Sequence, residues 1–594
     1  TLHGSSAASD VYKRQANSSD DKDGNITISA AIGGAPGGGD NDEPGVIGIT
    51  KIGNDATEDL NFGGALYSFD GATTITAASG NTIDVAVDAE FATVTDAITF
   101  ATGTIELADT VDLQVNSSGG AITIDSIASV EGTGAETVTI NAGGVNSGTE
   151  TVRLGNVGDS GHTQIHNLTV TADDGITLTG AIYTAQDGTA ATVTFNDAVI
   201  IDGDVIIDTD DTAHDGNITF TTSIEGKGDG GNESLTIEGG TGTITLTAIG
   251  ATTTVGDLTI NTQNTGTANL AIQNIGSGTV NATTVVGAGT VNIGNTSSGT
   301  IDFEGTIYKT SGAFTVTAKA NATTDKEIQF SGASPFISTA GANVTLEGGE
   351  VIIENGTLTI DSNTNDATNG GNITIEKKVY GTSDESLVLD AHATGTGTIA
   401  LGPVGHATPA DSQIASVKAT AGGGITLNGD ITLSDAPATD GVTFASAVTI
   451  GDGKSITITT DSGHATADGK VQFDSTLSGI ETTGKTTTDE SLTIVSGTGN
   501  VTITGNIGAT AETAIESLTI NTTDSATNDG DITLSGNIGS TSGSTIVEGA
   551  LGTVTIGNTA TAQLTLAGTV YNTNAATYEA CLLYTSPSPR DLAV

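Results

Sequence analysis

Cysteine is all but missing: Cys581 is the only one in 594 residues. A disulfide framework or a thiolate metal site is therefore excluded as the organising principle of the chain. Methionine and tryptophan are absent, and aromatic residues make up only 3%. Ordinary globular cores draw more of their buried area from aromatic rings, so an ordered core here has to be mainly aliphatic. Cations are scarce as well, with 16 Lys and Arg against 70 Asp and Glu and a formal net charge of −54. Nucleic acids and anionic membrane surfaces are recognised by clustered Lys and Arg, so the balance argues against both as partners. No apolar run approaches the roughly 20 residues of a membrane-spanning helix. No amphipathic helical period of useful length is present either.

What is present is glycine, 83 residues of it, set between short alternating runs. Leu168-Thr169-Val170, Val193-Thr194-Phe195 and Phe314-Thr315-Val316 place apolar residues on one side of a period of two and threonine on the other. That is the signature of half-buried strands. The high charge alone would suit a disordered chain, but such ordered alternation does not.

One strand-and-turn phrase recurs three times. Glu233-Ser234-Leu235-Thr236-Ile237 leads to Gly240-Thr241-Gly242-Thr243-Ile244-Thr245-Leu246, then Ile249-Gly250 and Leu258-Thr259-Ile260. The second copy starts at Glu385-Ser386-Leu387 and passes through Gly395 to Leu401, Val404-Gly405 and Val417. The third starts at Glu490-Ser491-Leu492 and passes through Gly497 to Ile503, Ile507-Gly508 and Leu518. Steps of roughly 20–30 residues are typical of stacked repeat architectures. A second phrase, an acidic loop closed by Gly and a strand, runs from Asp208 to Phe220, with looser copies at Asp361 to Ile375 and Asp461 to Phe473. It stands shortly before each Glu-Ser-Leu phrase.

One such unit cannot bury its own apolar face, whereas stacking buries a continuous core. The expected fold is all-β: a right-handed parallel β-helix, or β-solenoid, of roughly 20–26-residue rungs. Tandem immunoglobulin-like β-sandwiches are the competing architecture, but each needs about 100 residues and usually a large core aromatic.

The two ends read as foreign. Ser5 to Gln15 and Cys581 to Asp591 resemble translations of the two adapters of a transposase-type sequencing library. Residues 1–15 and 581–594 are accordingly set apart, and 16–580 is taken as the solenoid region. With no methionine, the chain is expected to be an internal fragment of a larger protein.

The phrases Gly216 to Phe220, Glu233 to Ile237 and Gly240 to Leu246 resemble repeat regions of large bacterial surface proteins, of the filamentous-haemagglutinin and autotransporter-passenger type. The resemblance implies export with an outer-membrane secretion partner, a right-handed parallel β-helix, and a role in adhesion or biofilm at the cell surface or outside it. The partners it implies are a host or neighbouring-cell surface, its glycans or its matrix.

Candidate chemistry is sparse. Asp208, Asp210, Asp211 and Asp215 form the best cluster for Ca²⁺, followed by Asp20, Asp21 and Asp23. Calcium takes six to eight oxygen ligands, and its helix-flanked loop needs a bidentate glutamate at position twelve. Counted from Asp21 that position is Ile32, and from Asp208 it is Thr219. The bland reading is solvated turns with no cofactor. His162 and His166 would share one strand face roughly 13 Å apart, too far to hold a metal together. A carboxylate pair is unavoidable among 70 acidic residues, so it carries no catalytic information. Arg153, in the strand phrase Thr151 to Gly155, is expected to face solvent. No nucleophile elbow, phosphate loop or zinc motif is present. The chain is therefore expected not to be an enzyme, but a structural and adhesive rod. A polysaccharide-active β-helix enzyme and a calcium-dependent surface-layer component are the alternatives.

Overall fold

The computed structural model describes residues 24–32, 50–129, 136–143, 150–160, 164–184, 190–210, 215–229, 233–262, 270–277, 287–296, 298–318, 327–363, 369–405, 413–433, 441–461, 468–480, 490–510, 513–521, 530–540, 551–581 and 583–585. Among the described residues there is no α-helix, and every inter-strand ladder is parallel. The chain is a right-handed parallel β-helix. Two compact units divide it, with the boundary between residues 278 and 300.

In the first unit each turn holds three strands. The chain runs through Leu66–Phe69, Thr73–Thr76 and Thr82–Val85, and then returns as Ala89–Thr93 to pair with the first of these. Leu113–Ser117, Thr137–Ala142, Asn167–Ala172, Thr192–Phe195, Asn217–Phe220 and Ile244–Thr245 continue that ladder. A second ladder grows from Thr73–Thr76 through Ile98–Phe100, and a third from Thr82–Val85 through Thr104–Leu107. Where corners are tight, one continuous strand serves two ladders: Ile122–Ser129 pairs with both Ile98–Phe100 and Thr104–Leu107.

The second unit is built the same way. Ile301–Phe303, Ile307–Thr310 and Phe314–Thr317 make one turn, and Glu327–Phe330, Phe336–Thr339 and Val344–Glu347 stack on it in register. The tighter turns fall within the expected rung length. Others are longer, reaching an offset of 36 residues between Ser455 and Ser491. Corner loops absorb the difference, since a surface connection can lengthen at little entropic cost without disturbing the register beneath it.

The interior follows from the alternation. Inward positions of both units are Val, Ile, Leu and Phe, most of them without solvent exposure. Each contributes about 1.5–3 kcal/mol on burial. The few aromatics are stacked turn on turn instead of scattered. Phe195 lies over Phe220 with ring centroids 5.0 Å apart, and Phe303 lies over Phe330 at 4.9 Å. Tyr67 stacks on Phe91 at 4.8 Å, and its buried hydroxyl accepts from the N–H of Gly64 and donates to the carbonyl of Ile28.

The three phrase copies mark turns, not a fixed face. Leu387 opens the second copy and Val501 is the middle strand of the third. Yet both lie on one ladder, through Val417, Val442 and Val471. The repeat therefore encodes a three-strand turn wherever the ladder happens to stand.

Candidate functional site

The polar groups of this chain sit at the corners and on the outward strand positions. The corner chemistry explains both recurrent phrases. The loop that opens at Asp208 is pinned at its neck: the Thr209 hydroxyl donates to the Gly216 carbonyl at 2.8 Å, and the Gly216 N–H returns to the Thr209 carbonyl at 3.0 Å. Ser362 and Gly371 repeat the hydroxyl bond at 2.7 Å, and Thr460 and Gly469 at 2.6 Å. These hydroxyls are buried, so the acidic phrase is a lasso tied by one Ser or Thr.

One turn later stands the Gly-Thr-Gly phrase, and the lasso supplies its acceptors. Asp215 accepts the N–H of Thr241 at 2.5 Å, and Asn217 accepts that of Thr243 at 2.8 Å. Asn372 serves Thr398 at 3.0 Å in the same way. Asp468, 1% exposed, accepts both the N–H of Thr498 at 2.7 Å and its hydroxyl at 2.9 Å. The first glycine of the phrase adopts the left-handed region, at φ 50° for Gly240 and 52° for Gly497, where a side chain is disfavoured. The order of the two phrases along the sequence is thus a contact between adjacent turns. The glutamate of the Glu-Ser-Leu phrase is structural as well: Glu385 and Glu490 are 2% and 1% exposed, and Glu490 accepts the N–H of Gly453.

The proposed calcium residues take their places in this scheme. Asp208 accepts the N–H of Asp210 at 2.9 Å in a local turn, while Asp215 is committed to Thr241. Asp211, like Asp20, Asp21 and Asp23, lies outside the described residues, as does His162. Among the described residues no group of three or more His, Cys, Asp or Glu is placed to share a metal ion. Since Asp208 and Asp215 already hold backbone N–H groups, adding millimolar Ca²⁺ is expected to leave the melting temperature unchanged. A calorimetric titration showing stoichiometric binding with a raised melting temperature would count against that assignment.

Arg153 does face solvent, its guanidinium 2.9 Å from Asp202. Lys227 approaches the same carboxylate at 2.6 Å. Hydrogen bonds from Lys227 and then Arg153 hold Asp202 below the usual carboxylate range.

Two arrangements were not legible in the sequence. The first is a column of register partners in the second unit, Lys309, Ser338, Asp361 and Asp390. Lys309 and Ser338 are 1% and 0% exposed, and burial lowers the lysine's proton affinity. Asp361 is pushed above the usual range, first by burial and then by Asp390, against a hydrogen bond from the Asn363 N–H. A raised folded-state value favours the neutral acid in the fold. Stability from this group is therefore full below the unfolded value, near pH 3.9, and is lost as pH rises through the folded one. Asp361→Asn keeps an acceptor for Asn363, so it is expected to raise the melting temperature at pH 7 and to change it little at pH 3. Equal shifts at both pH values would contradict the assignment.

The second is a shallow cleft of about 320 Å³ in the second unit, lined by Asp468, Lys470, Gln472, Thr498, Asn500 and Thr502. Lys470 donates to Gln472 at 2.9 Å, and Gln472 donates to Asp474 at 2.6 Å. Asp468 is occupied by Thr498, which leaves the cleft a cation, amides and hydroxyls as its exposed chemistry. Such a lining suits a hydroxyl-rich ligand held by hydrogen bonds.

No helix among the described residues is long and apolar enough to cross a membrane. Compared with known proteins, the chain matches no family model, no curated protein and no solved structure.

Proposed function

We propose that this chain is a structural and adhesive β-solenoid exported to a bacterial cell surface. The observation that carries the reading is the parallel stacking of turn on turn within each unit, with corner acids and amides committed to joining one turn to the next. A fold held by nearest-neighbour contacts can be extended turn by turn and can present outward side chains at fixed intervals. Its contacts would be made by outward faces and corner loops, with host or neighbouring-cell glycans and matrix as the class of partner. The polar cleft around Lys470 and Gln472 supports a glycan as the ligand.

Beads coated with the purified chain should bind epithelial or bacterial cells in a dose-dependent manner, and free chain should compete. Binding no stronger than that of beads coated with an unrelated acidic β-protein would sink the adhesive part of the reading. In a glycan-array experiment, Lys470→Ala with Gln472→Ala should weaken the strongest signal while leaving the circular dichroism spectrum intact.

A further inference from the structure

One face of the first unit carries an ordered lattice of hydroxyl and amide groups. Thr139, Thr169, Thr194, Thr219 and Thr245 are register partners in five consecutive turns, with no shift in the ladder between them. The outward positions two residues before and two residues after each of these are also Thr or Asn, without exception. Outward threonine is common in this chain, as β-propensity dictates. Fifteen outward positions with no charge are another matter in a chain of net charge −54. Over these five turns carboxylates stay at the corners, whereas the same column carries Gln114 and then Glu90 in the two turns before them.

The lattice is rigid, and its centre is unspent. In the flanking columns Thr192 donates to Asn167 at 2.8 Å, and Asn196 donates to Thr171 at 3.1 Å. None of the five central hydroxyls is bonded to another described residue. Threonine is stiff at χ1, so each central residue offers a hydroxyl and a methyl in fixed positions. Neighbours along the column are about 4.8 Å apart, and neighbours along a strand about 6.6 Å apart. The column repeat lies close to the shorter oxygen repeat on a prism face of hexagonal ice, and the strand repeat is about a tenth below the longer one. A neutral periodic surface of this kind suits a neutral periodic partner better than a charged or irregular one, because each hydroxyl meets the same lattice point in every turn. In the second unit Thr457, Thr493, Thr519 and Thr555 form a similar column, with Ser455, Ser491, Ser517 and Thr553 on one side and Thr459, Val495 and Asn521 on the other.

We infer that these threonine lattices bind the surface of ice, ordering water on their hydroxyls and methyls. The inference stands on the faces alone and does not depend on the adhesive reading. The full chain, mixed into water around a slowly growing ice sphere, should enter the ice, and its solutions should show thermal hysteresis. Thr169→Lys with Thr194→Lys should reduce uptake. Adding Thr493→Lys and Thr519→Lys should bring it to background. Thr99→Lys, on another face of the first unit, should leave it unchanged. Circular dichroism keeps misfolding apart from loss of binding. Exclusion of the wild-type chain from ice, or undiminished uptake by the folded fourfold variant, overturns the inference. So does retention on microcrystalline cellulose with no effect on ice, which would assign the lattice to a crystalline polysaccharide.

Discussion

Gly499→Ala is expected to open the turn around residues 490–510 while leaving distant turns intact. A Cβ at this position would overlap the carbonyl of Gly469 in the turn before and the carbonyl of Asp468 beside it. Both are backbone atoms and cannot swing away as the end of a side chain would. Gly499 also closes the tight turn after Ser496, donating to its carbonyl at 2.7 Å while the Ser496 hydroxyl donates back at 2.9 Å. Relief of the overlap has to separate the two turns, and with them the bonds from Thr498 to Asp468. Overpacking of this kind costs about 1–3 kcal/mol, and more where the backbone must move. Gly242→Ala should behave alike in the first unit, where the obstruction is the carbonyl of Gly216. Gly24→Ala is the control, since nothing lies within 4 Å of its Cβ position. Hydrogen exchange should show protection lost at Thr498 and in the strands Ser491–Val495 and Val501–Ile503. Wild-type exchange there in the folded variant would contradict the assignment of the second glycine to close backbone approach.

Phe330→Ala should cost about 3–5 kcal/mol, the range for emptying a buried phenylalanine site. Phe330 has no solvent exposure and stacks on Phe303 with their ring planes 19° apart. The chain has few large side chains with which to fill the space, so the cavity would persist. Because Phe303 is its direct neighbour, the double variant with Phe303→Ala should cost less than the sum of the two single ones. Strict additivity in denaturant titrations would mean that the rings contribute independently. In a stacked fold the loss is confined to neighbouring turns. The unfolding curve should therefore gain an early phase instead of shifting as a whole.

Much of this fold is legible in the order of residues. Alternation in Thr137–Ala142 or Asn167–Ala172 names the inward and outward side of each strand, because a strand's side chains change face at every residue. One copy of the recurrent phrase is one turn, because its last strand pairs with its first: Leu258 with Leu235, Val417 with Leu387 and Leu518 with Leu492. That single turns cannot stand alone follows from how little apolar area each one closes off.

The candidate site was much less legible. Asp208, Asp210, Asp211 and Asp215 look like oxygen ligands when only their spacing is considered. The spacing does not show that Asp215 accepts the N–H of Thr241, 26 residues away. Nothing in the spacing of Lys309, Ser338, Asp361 and Asp390 suggests a column, since the intervals between them are unequal and each is set by the length of a different corner loop. The face that carries the threonine lattice is hidden for the same reason. Its rows are plain within each strand, but their alignment across five turns is not.

The sequence by itself determined the strands, their inward faces, the rung-scale repeat and the net acidity of the chain. Tertiary structure alone decided which turn's carboxylate meets which turn's N–H, which columns stand in register, and on which ladder each repeat falls. The physical reason is that alternation is local, whereas register depends on corner lengths that vary from turn to turn, and each stack settles it by matching apolar residues across the ladder.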